Sequence, residues 1–147
     1  PWIVRWPGKT PAGVRCNVPI HHVDLYTTFV AVARGTAPPQ TLHGVDLTRL
    51  FQSPGHGLAE RNLYWYLPGY SAFHQPSLMV RRGHWKLILS LESEAFHLFD
   101  TNSDVGERND RSREETALAD SLDADGMQWL DDMDAPRMTP NPEYKSQ

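Results

Sequence analysis

Seven histidines, one cysteine and eighteen carboxylates are the residues of this sequence that could bind a metal or carry acid–base chemistry. Spacing decides against most of them. His21 and His22 are adjacent, and on a strand or helix neighbouring rings point apart. No histidine pair has the i, i+4 spacing that puts two rings on one helix face. Gly8-Lys9-Thr10 has the ending of a phosphate-binding loop, but the earlier glycine that loop needs falls on Ile3. No G-x-S-x-G elbow occurs to present a nucleophilic serine. Asp131, Asp132 and Asp134 fall together on a late helix and read as solvated carboxylates. The stretch from Tyr64 to Arg82 is different. Tyr66, Tyr70, His74, Arg81 and Arg82 bring aromatic faces and basic donors close together in sequence. Such groups stack on rings and make charge-assisted hydrogen bonds to anions. The plain structural reading places Tyr64 and Trp65 in a core, Tyr70 at a turn, and the arginines in solvent or in ion pairs.

These residues need elements to hold them. Ile3-Val4-Arg5-Trp6 is short, apolar and β-prone, and Pro7-Gly8 ends it, so a strand and a turn are expected. Four residues suit the last strand of a larger sheet better than the start of a free-standing domain. Asp24 is expected to N-cap a helix running to about Arg34, with Leu25, Phe29 and Val32 as its apolar stripe and Gly35 after its end. Residues 35–46 read as loop, Leu47 to Phe51 as one helical turn, and 52–60 as loop again. Four β-prone runs follow, at 63–67, 78–81, 85–89 and 96–99. Arg82-Gly83-His84 is tight enough to pair the second and third as a hairpin. After a turn-rich stretch from Thr101 to Gly106, a helix is expected over Ser112 to Met133. Ser112 and Glu115 would form its capping box. Leu118, Leu122, Trp129 and Met133 would be its stripe, with Ala119 and Leu130 beside it. Gly126 lies inside and invites a bend. The segment from Pro136 onward has three prolines and should be extended. The expected class is α+β: a small four-stranded antiparallel sheet packed by a C-terminal amphipathic helix, preceded by the last strand and helix of a larger α/β domain. The boundary falls near residue 60, giving units 1–60 and 61–147.

The bulk properties fit this. With 147 residues, 39% hydrophobic and 22% charged, the chain can bury one ordinary core. No apolar run reaches the roughly 20 residues needed to cross a bilayer. One cysteine, Cys16, excludes an internal disulfide. Residues 1–91 carry a net charge of +6 and residues 92–147 one of −10. The basic part suits anionic ligands, and the acidic part argues against nucleic acid. The chain opens on Pro1-Trp2-Ile3 with no starting methionine and no basic leader, so it is expected to belong to something longer.

Several segments resemble, in order, those of the type I (formylglycine-dependent) sulfatases of the alkaline-phosphatase-like superfamily. Ile3-Val4-Arg5-Trp6-Pro7-Gly8-Lys9 resembles their W-P-G strand. Val23-Asp24-Leu25-Tyr26-Thr27-Thr28 is similar to the D-L-Y-P-T helix start, with Thr27 for proline. Gly44-Val45-Asp46-Leu47 is similar to D-G-x-S-L. Leu63-Tyr64-Trp65-Tyr66-Leu67-Pro68-Gly69-Tyr70 resembles L-Y-W-H-F-P-H-Y. Val80-Arg81-Arg82-Gly83-His84-Trp85-Lys86-Leu87-Ile88 resembles V-R-x-G-D-W-K-L-I. Leu98-Phe99-Asp100 through Gly106-Glu107 is similar to L-Y-D-L-x-x-D-P-G-E, and Met138-Thr139-Pro140-Asn141-Pro142-Glu143-Tyr144 to M-P-T-P-N-P-x-Y.

The resemblance implies that residues 1–60 end the catalytic α/β domain and that residues 61–147 form the C-terminal subdomain. It implies a parent that hydrolyses sulfate esters, of a sulfated carbohydrate or an aryl sulfate, with a formylglycine nucleophile and a calcium ion. Neither is expected within this chain. Cys16-Asn17-Val18-Pro19-Ile20 fails the C/S-x-P/A-x-R motif, and the family's metal ligands precede Pro1. No catalytic or metal residue is therefore assigned here, and the chain alone is expected to be inactive. What this subdomain adds is a wall of the substrate cleft. Tyr66 stands where the family often has a histidine, and Tyr70, His74 and Arg81 are the other candidates for binding a sulfated sugar. The implied partners are the preceding catalytic domain and the substrate, with no nucleic acid and no membrane. The implied compartment is that of an exported protein, periplasmic, extracellular or lysosomal. Two alternatives stay open: a stand-alone module that binds sulfated sugars without cleaving them, and a fragment of a related phosphodiesterase or phosphonate hydrolase.

Overall fold

The computed structural model describes residues 2–69 and 75–139. The chain divides into two compact units between Glu60 and Arg61.

The first unit holds helices α1 (Asp24–Val32) and α2 (Thr48–Gln52). Residues 3–6 do not form the expected strand. A strand needs a ladder partner, and Ile3 stands 97% exposed. The turn after it is present: Lys9 N–H donates to the Trp6 carbonyl at 2.9 Å, and Gly8 takes a positive φ of 74°.

Helix α1 buries a different face from the one its apolar residues suggest. Asp24 and Thr28, four apart and so on one face, are wholly buried, while Phe29 and Val32 are exposed. Polar bonds explain the inversion. The Asp24 carboxylate does not cap the helix; it accepts from the backbone N–H of His21 at 2.8 Å and of Val45 at 3.0 Å. The Thr28 hydroxyl donates to the Asp24 carbonyl at 2.7 Å and accepts from Leu47 N–H at 3.0 Å. These two side chains thus fix the loop at residues 44–47 against the helix. Gly44 permits the approach, because a Cβ there would lie 2.1 Å from the Val23 carbonyl oxygen.

The second unit is a meander of β1 (Asn62–Leu67), β2 (Ser77–Arg82), β3 (Trp85–Ser90) and β4 (Phe96–Asp100), covered by α3 (Thr116–Asp132). The strands lie in sequence order and every neighbouring pair is antiparallel. Arg82 pairs with Trp85 across the two-residue turn Gly83-His84. Gly83 has a φ of 59°, which suits the first central position of a type II′ hairpin turn. Alternation puts Leu78, Val80, Leu87, Leu89 and Leu98 on the face beneath α3, where they form the core with Ala119, Leu122 and Leu130.

Helix α3 departs from expectation at both its start and its middle. It begins at Thr116, and Glu115 at its N-cap makes no side-chain cap bond. Ser112 is drawn elsewhere: its N–H donates to Asp110 Oδ1 at 2.9 Å. The buried stripe is Ala119, Leu122, Gly126 and Leu130. Met133 is exposed, and Leu118 and Trp129 flank the core. Gly126 produces no break. The helix runs through it, and the residue is glycine because a Cβ there would sit 2.7 Å from Leu78 Cδ2 and from Val80 Cγ2. The glycine is the point of closest approach between helix and sheet. Residues 136–139 form neither helix nor strand, and the rest of that tail lies outside the described residues. No helix among the described residues is long and apolar enough to cross a membrane.

Candidate functional site

Strand β1 presents its even-numbered residues to the helix side. Tyr64 stacks on Trp129 with ring centroids 4.8 Å apart and planes 3° from parallel. Two residues on, the Tyr66 hydroxyl donates to the Pro136 carbonyl at 2.5 Å. That bond fastens the segment leaving α3 across the end of β1. Arg137 supports it by pairing with Asp131 at 2.5 Å.

Tyr66 also lines a groove of about 650 Å³. Leu89, Phe96 and Met127 supply apolar wall, and Asp123 and Arg137 supply charge. The volume is within the range of small-molecule sites. Burial, and then the neighbouring Asp120, push the Asp123 carboxyl above its ordinary range. Its Oδ1 is buried and has no hydrogen-bond partner among the described residues. Sequence reading missed Asp123. The signal was available, since Asp123 and Met127 are four apart and flank the stripe that the helix buries.

Arg81 stands on the opposite face of the sheet. It lies between the helix-facing Val80 and Arg82, beside Leu63 and Lys86 on neighbouring strands. Its Nε donates to the Gly83 carbonyl at 2.9 Å. The structure therefore does not bring Tyr66 and Arg81 together. Tyr70 and His74 lie outside the described residues. Arg82, on the helix side, is held in a polar network. It pairs with Asp125, which also accepts from Asn62 Nδ2 at 2.6 Å, while Arg82 Nε donates to Asn62 Oδ1 at 3.1 Å. This network ties α3 to the β1–β2 edge and leaves Arg82 occupied.

A further cluster lies after β4. Asp110 accepts from His97 Nδ1 at 2.9 Å, from Leu98 N–H at 3.0 Å and from Ser112 N–H at 2.9 Å. Burial would raise its pKa, but these bonds together outweigh burial and hold the carboxyl well below its usual range. Asp104 is likewise held low, by the N–H groups of Asn109 and Arg108. Lys86 pairs with Glu107 at 2.7 Å. All of these bonds brace the loop.

The sulfatase resemblance implies calcium and formylglycine, and the described residues offer a place for neither. Among the described residues no three His, Cys, Asp or Glu side chains come together as a metal site. Cys16 is exposed, donates weakly to the Pro54 carbonyl at 3.6 Å, and lies in a sequence that fails the modification motif. His21 and His22 do bring their rings to 4.2 Å, against expectation, because they precede α1 in neither a helix nor a strand. His21 Nδ1 is engaged, however, accepting from Val23 N–H at 3.3 Å. The residues described here do not fit either group, and no reaction step can be drawn through them on this chain.

Known proteins share this architecture. A sulfatase of Formosa agariphila is 27% identical over 118 residues, which are 73% of this chain and 21% of that protein. The crystal structure of Ps i-CgsB in complex with k-i-k-neocarrahexaose superposes with a TM-score of 0.66 at 26% identity, over 84% of this chain and 27% of that one. The structure of BT4656 in complex with its substrate D-glucosamine-2-N,6-O-disulfate gives a TM-score of 0.68 over 89% of this chain and 27% of that one. At 23% identity, this last likeness bears on the fold alone. The chain thus spans about a fifth of the curated relative and about a quarter of these solved ones. Residues 1–125 match the family described as N-sulphoglucosamine sulphohydrolase, C-terminal. With the antiparallel meander covered by α3, this chain belongs to that family and is a C-terminal part of a sulfatase of alkaline-phosphatase-like fold.

Proposed function

We propose that the parent of this chain hydrolyses sulfate esters, with a sulfated carbohydrate as substrate, and that residues 61–147 complete its fold and form one wall of the substrate cleft. Residues 1–60 then end its catalytic domain. The carrying observation is the family match over residues 1–125. The oligosaccharide bound by Ps i-CgsB supports a carbohydrate substrate. Formylglycine and calcium belong, in this reading, to the part of the parent that precedes residue 1. Tyr66 is the best-placed candidate for the wall, since it lines the groove, and Tyr70 and His74 follow it in the β1–β2 connection. Arg81, on the other sheet face, could contribute only to a surface there.

The test is to extend the chain upstream, co-express it with a formylglycine-generating enzyme, supply calcium, and measure sulfate release from sulfated oligosaccharides. Release by the extended chain, with none from the 147-residue chain, is expected. An extended chain that cleaves phosphate diesters and leaves every sulfate ester intact would overturn the reading.

A further inference from the structure

The groove beside Tyr66 has a chemistry that the fold does not require. It lies within the second unit. Leu89 and Phe96, cross-strand partners at the end of the β3–β4 hairpin, form an apolar wall with Met127 of α3. Three carboxylates line the same space: Asp123 of α3, and Glu92 and Glu94 of the turn between the two strands. Glu94 holds a φ of 57°, a left-handed conformation that is unfavourable for any residue but glycine. Glycine would relieve that strain, yet the position carries a carboxylate. Burial leaves the Asp123 carboxyl poorly solvated, and its Oδ1 has no hydrogen-bond partner among the described residues. The two strongest donors at the groove are already committed, the Tyr66 hydroxyl to the Pro136 carbonyl and Arg137 to Asp131. Ser90 and Thr139 add hydroxyls, which both donate and accept. Acceptors are therefore in excess, and three carboxylates face one guanidinium.

We propose that this groove is a subsite for an unsulfated sugar ring, the neighbour in a sulfated carbohydrate of the ring that loses its sulfate. The inference rests on the function proposed above and adds the chemistry of the substrate beside the reacting group. A pyranose has a face of C–H groups that packs on an apolar wall such as Phe96 and Met127. Its edge of hydroxyls donates to carboxylates. The volume of the groove admits such a ring. A sulfate ester meets neither demand, because its oxygens only accept and its charge is repelled by Asp123, Glu92 and Glu94. A bare cation would match the charge but leave the apolar wall uncovered, and among the described residues no three carboxylates come together as a metal site. Residues 140–147 of this chain, which continue from Thr139 at the groove, are the competing occupant.

The test titrates the 147-residue chain, methyl-labelled at methionine, with cellobiose and lactose and with a 6-O-sulfated form of each. Saturable shifts of the Met127 methyl signal are expected with the unsulfated sugars, at concentrations roughly tenfold below those the sulfated forms need. Asp123→Asn should weaken binding of the unsulfated sugars about tenfold. A urea midpoint at or above that of the parent chain confirms that this variant is folded. The exposed pair Glu92→Gln and Glu94→Gln is the second variant, and it should narrow the preference against sulfate severalfold. No shift with either unsulfated sugar, equal affinity for the sulfated forms, or an unchanged preference in the glutamine pair would each overturn the proposal. So would binding that appears only in a chain ending at Thr139, which assigns the groove to residues 140–147. Sulfate release is assayed separately on the upstream-extended chain. Sugar binding without sulfate release would sink the hydrolase reading and leave the sugar groove standing, and release without sugar binding would do the reverse.

Discussion

Asp110 shows how much one carboxylate can hold. It joins β4 to the residues leading into α3 through three acceptor contacts. Its folded pKa is depressed below the ordinary carboxylate value. Its contribution to stability is therefore fully present above that value and is lost as pH falls through the folded one. Urea midpoints measured from pH 6 downward should fall as pH drops below about 4. Asp110→Asn should flatten that fall and cost about 1 kcal/mol at neutral pH. Asp123 has the opposite sign. Its pKa is raised, so it opposes folding once ionised, as pH rises through the ordinary carboxylate range. Asp123→Asn should raise the urea midpoint at pH 7 and leave it nearly unchanged at pH 3. In unit one, Thr28→Val removes a hydroxyl that serves both Asp24 and Leu47. It leaves Leu47 N–H without that partner and should cost about 2 kcal/mol, read by chemical denaturation.

At the scale of elements, Gly126 separates propensity from packing. Alanine would favour an isolated helix by ~1 kcal/mol. Here its methyl group would meet Leu78 and Val80 at 2.7 Å, and both are wholly buried with no room to give. Gly126→Ala should lower stability by about 2 kcal/mol, the range for overpacked cores. Its effect on the helix content of an isolated α3 peptide should be the reverse. The four strands were legible in the sequence because Leu78, Val80, Leu87 and Leu89 alternate with residues of the other face and Gly83 marks the hairpin. The face of α1 was not legible. Apolar periodicity points to Leu25, Phe29 and Val32, but the bonds that fix the helix come from Asp24 and Thr28 to backbone groups about twenty residues away. A pattern of side-chain hydrophobicity carries no record of distant N–H groups. The start of α3 was misread for a similar reason, since Asp110 takes the Ser112 N–H that the capping box would have used. The candidate site was the least legible part. Tyr66 and Arg81 are near in sequence, yet strand parity sends them to opposite faces.

The two units differ in how each is held together. The second has a contiguous apolar core between sheet and helix. The first relies on Leu47, Leu50 and the buried polar pair Asp24 and Thr28, and leaves Trp2, Ile3, Val4, Tyr26 and Phe29 exposed. Hydrogen exchange on the 147-residue chain should therefore find the amides of β2, β3 and α3 protected to the level of global unfolding and those of α1 exchanging far sooner. A chain of residues 61–147 should melt at the same temperature as that protected part. Equal protection of α1 and α3 would refute this division.

The meander has a consequence for how the protein is made. Each strand pairs only with the one before and after it, so the sheet can assemble in the order of synthesis without waiting for distant partners. Its cover cannot, because α3 is translated after all four strands. A nascent chain paused before Thr116 would hold Leu78, Val80, Leu87 and Leu98 open to water, a ready target for a chaperone at the ribosome.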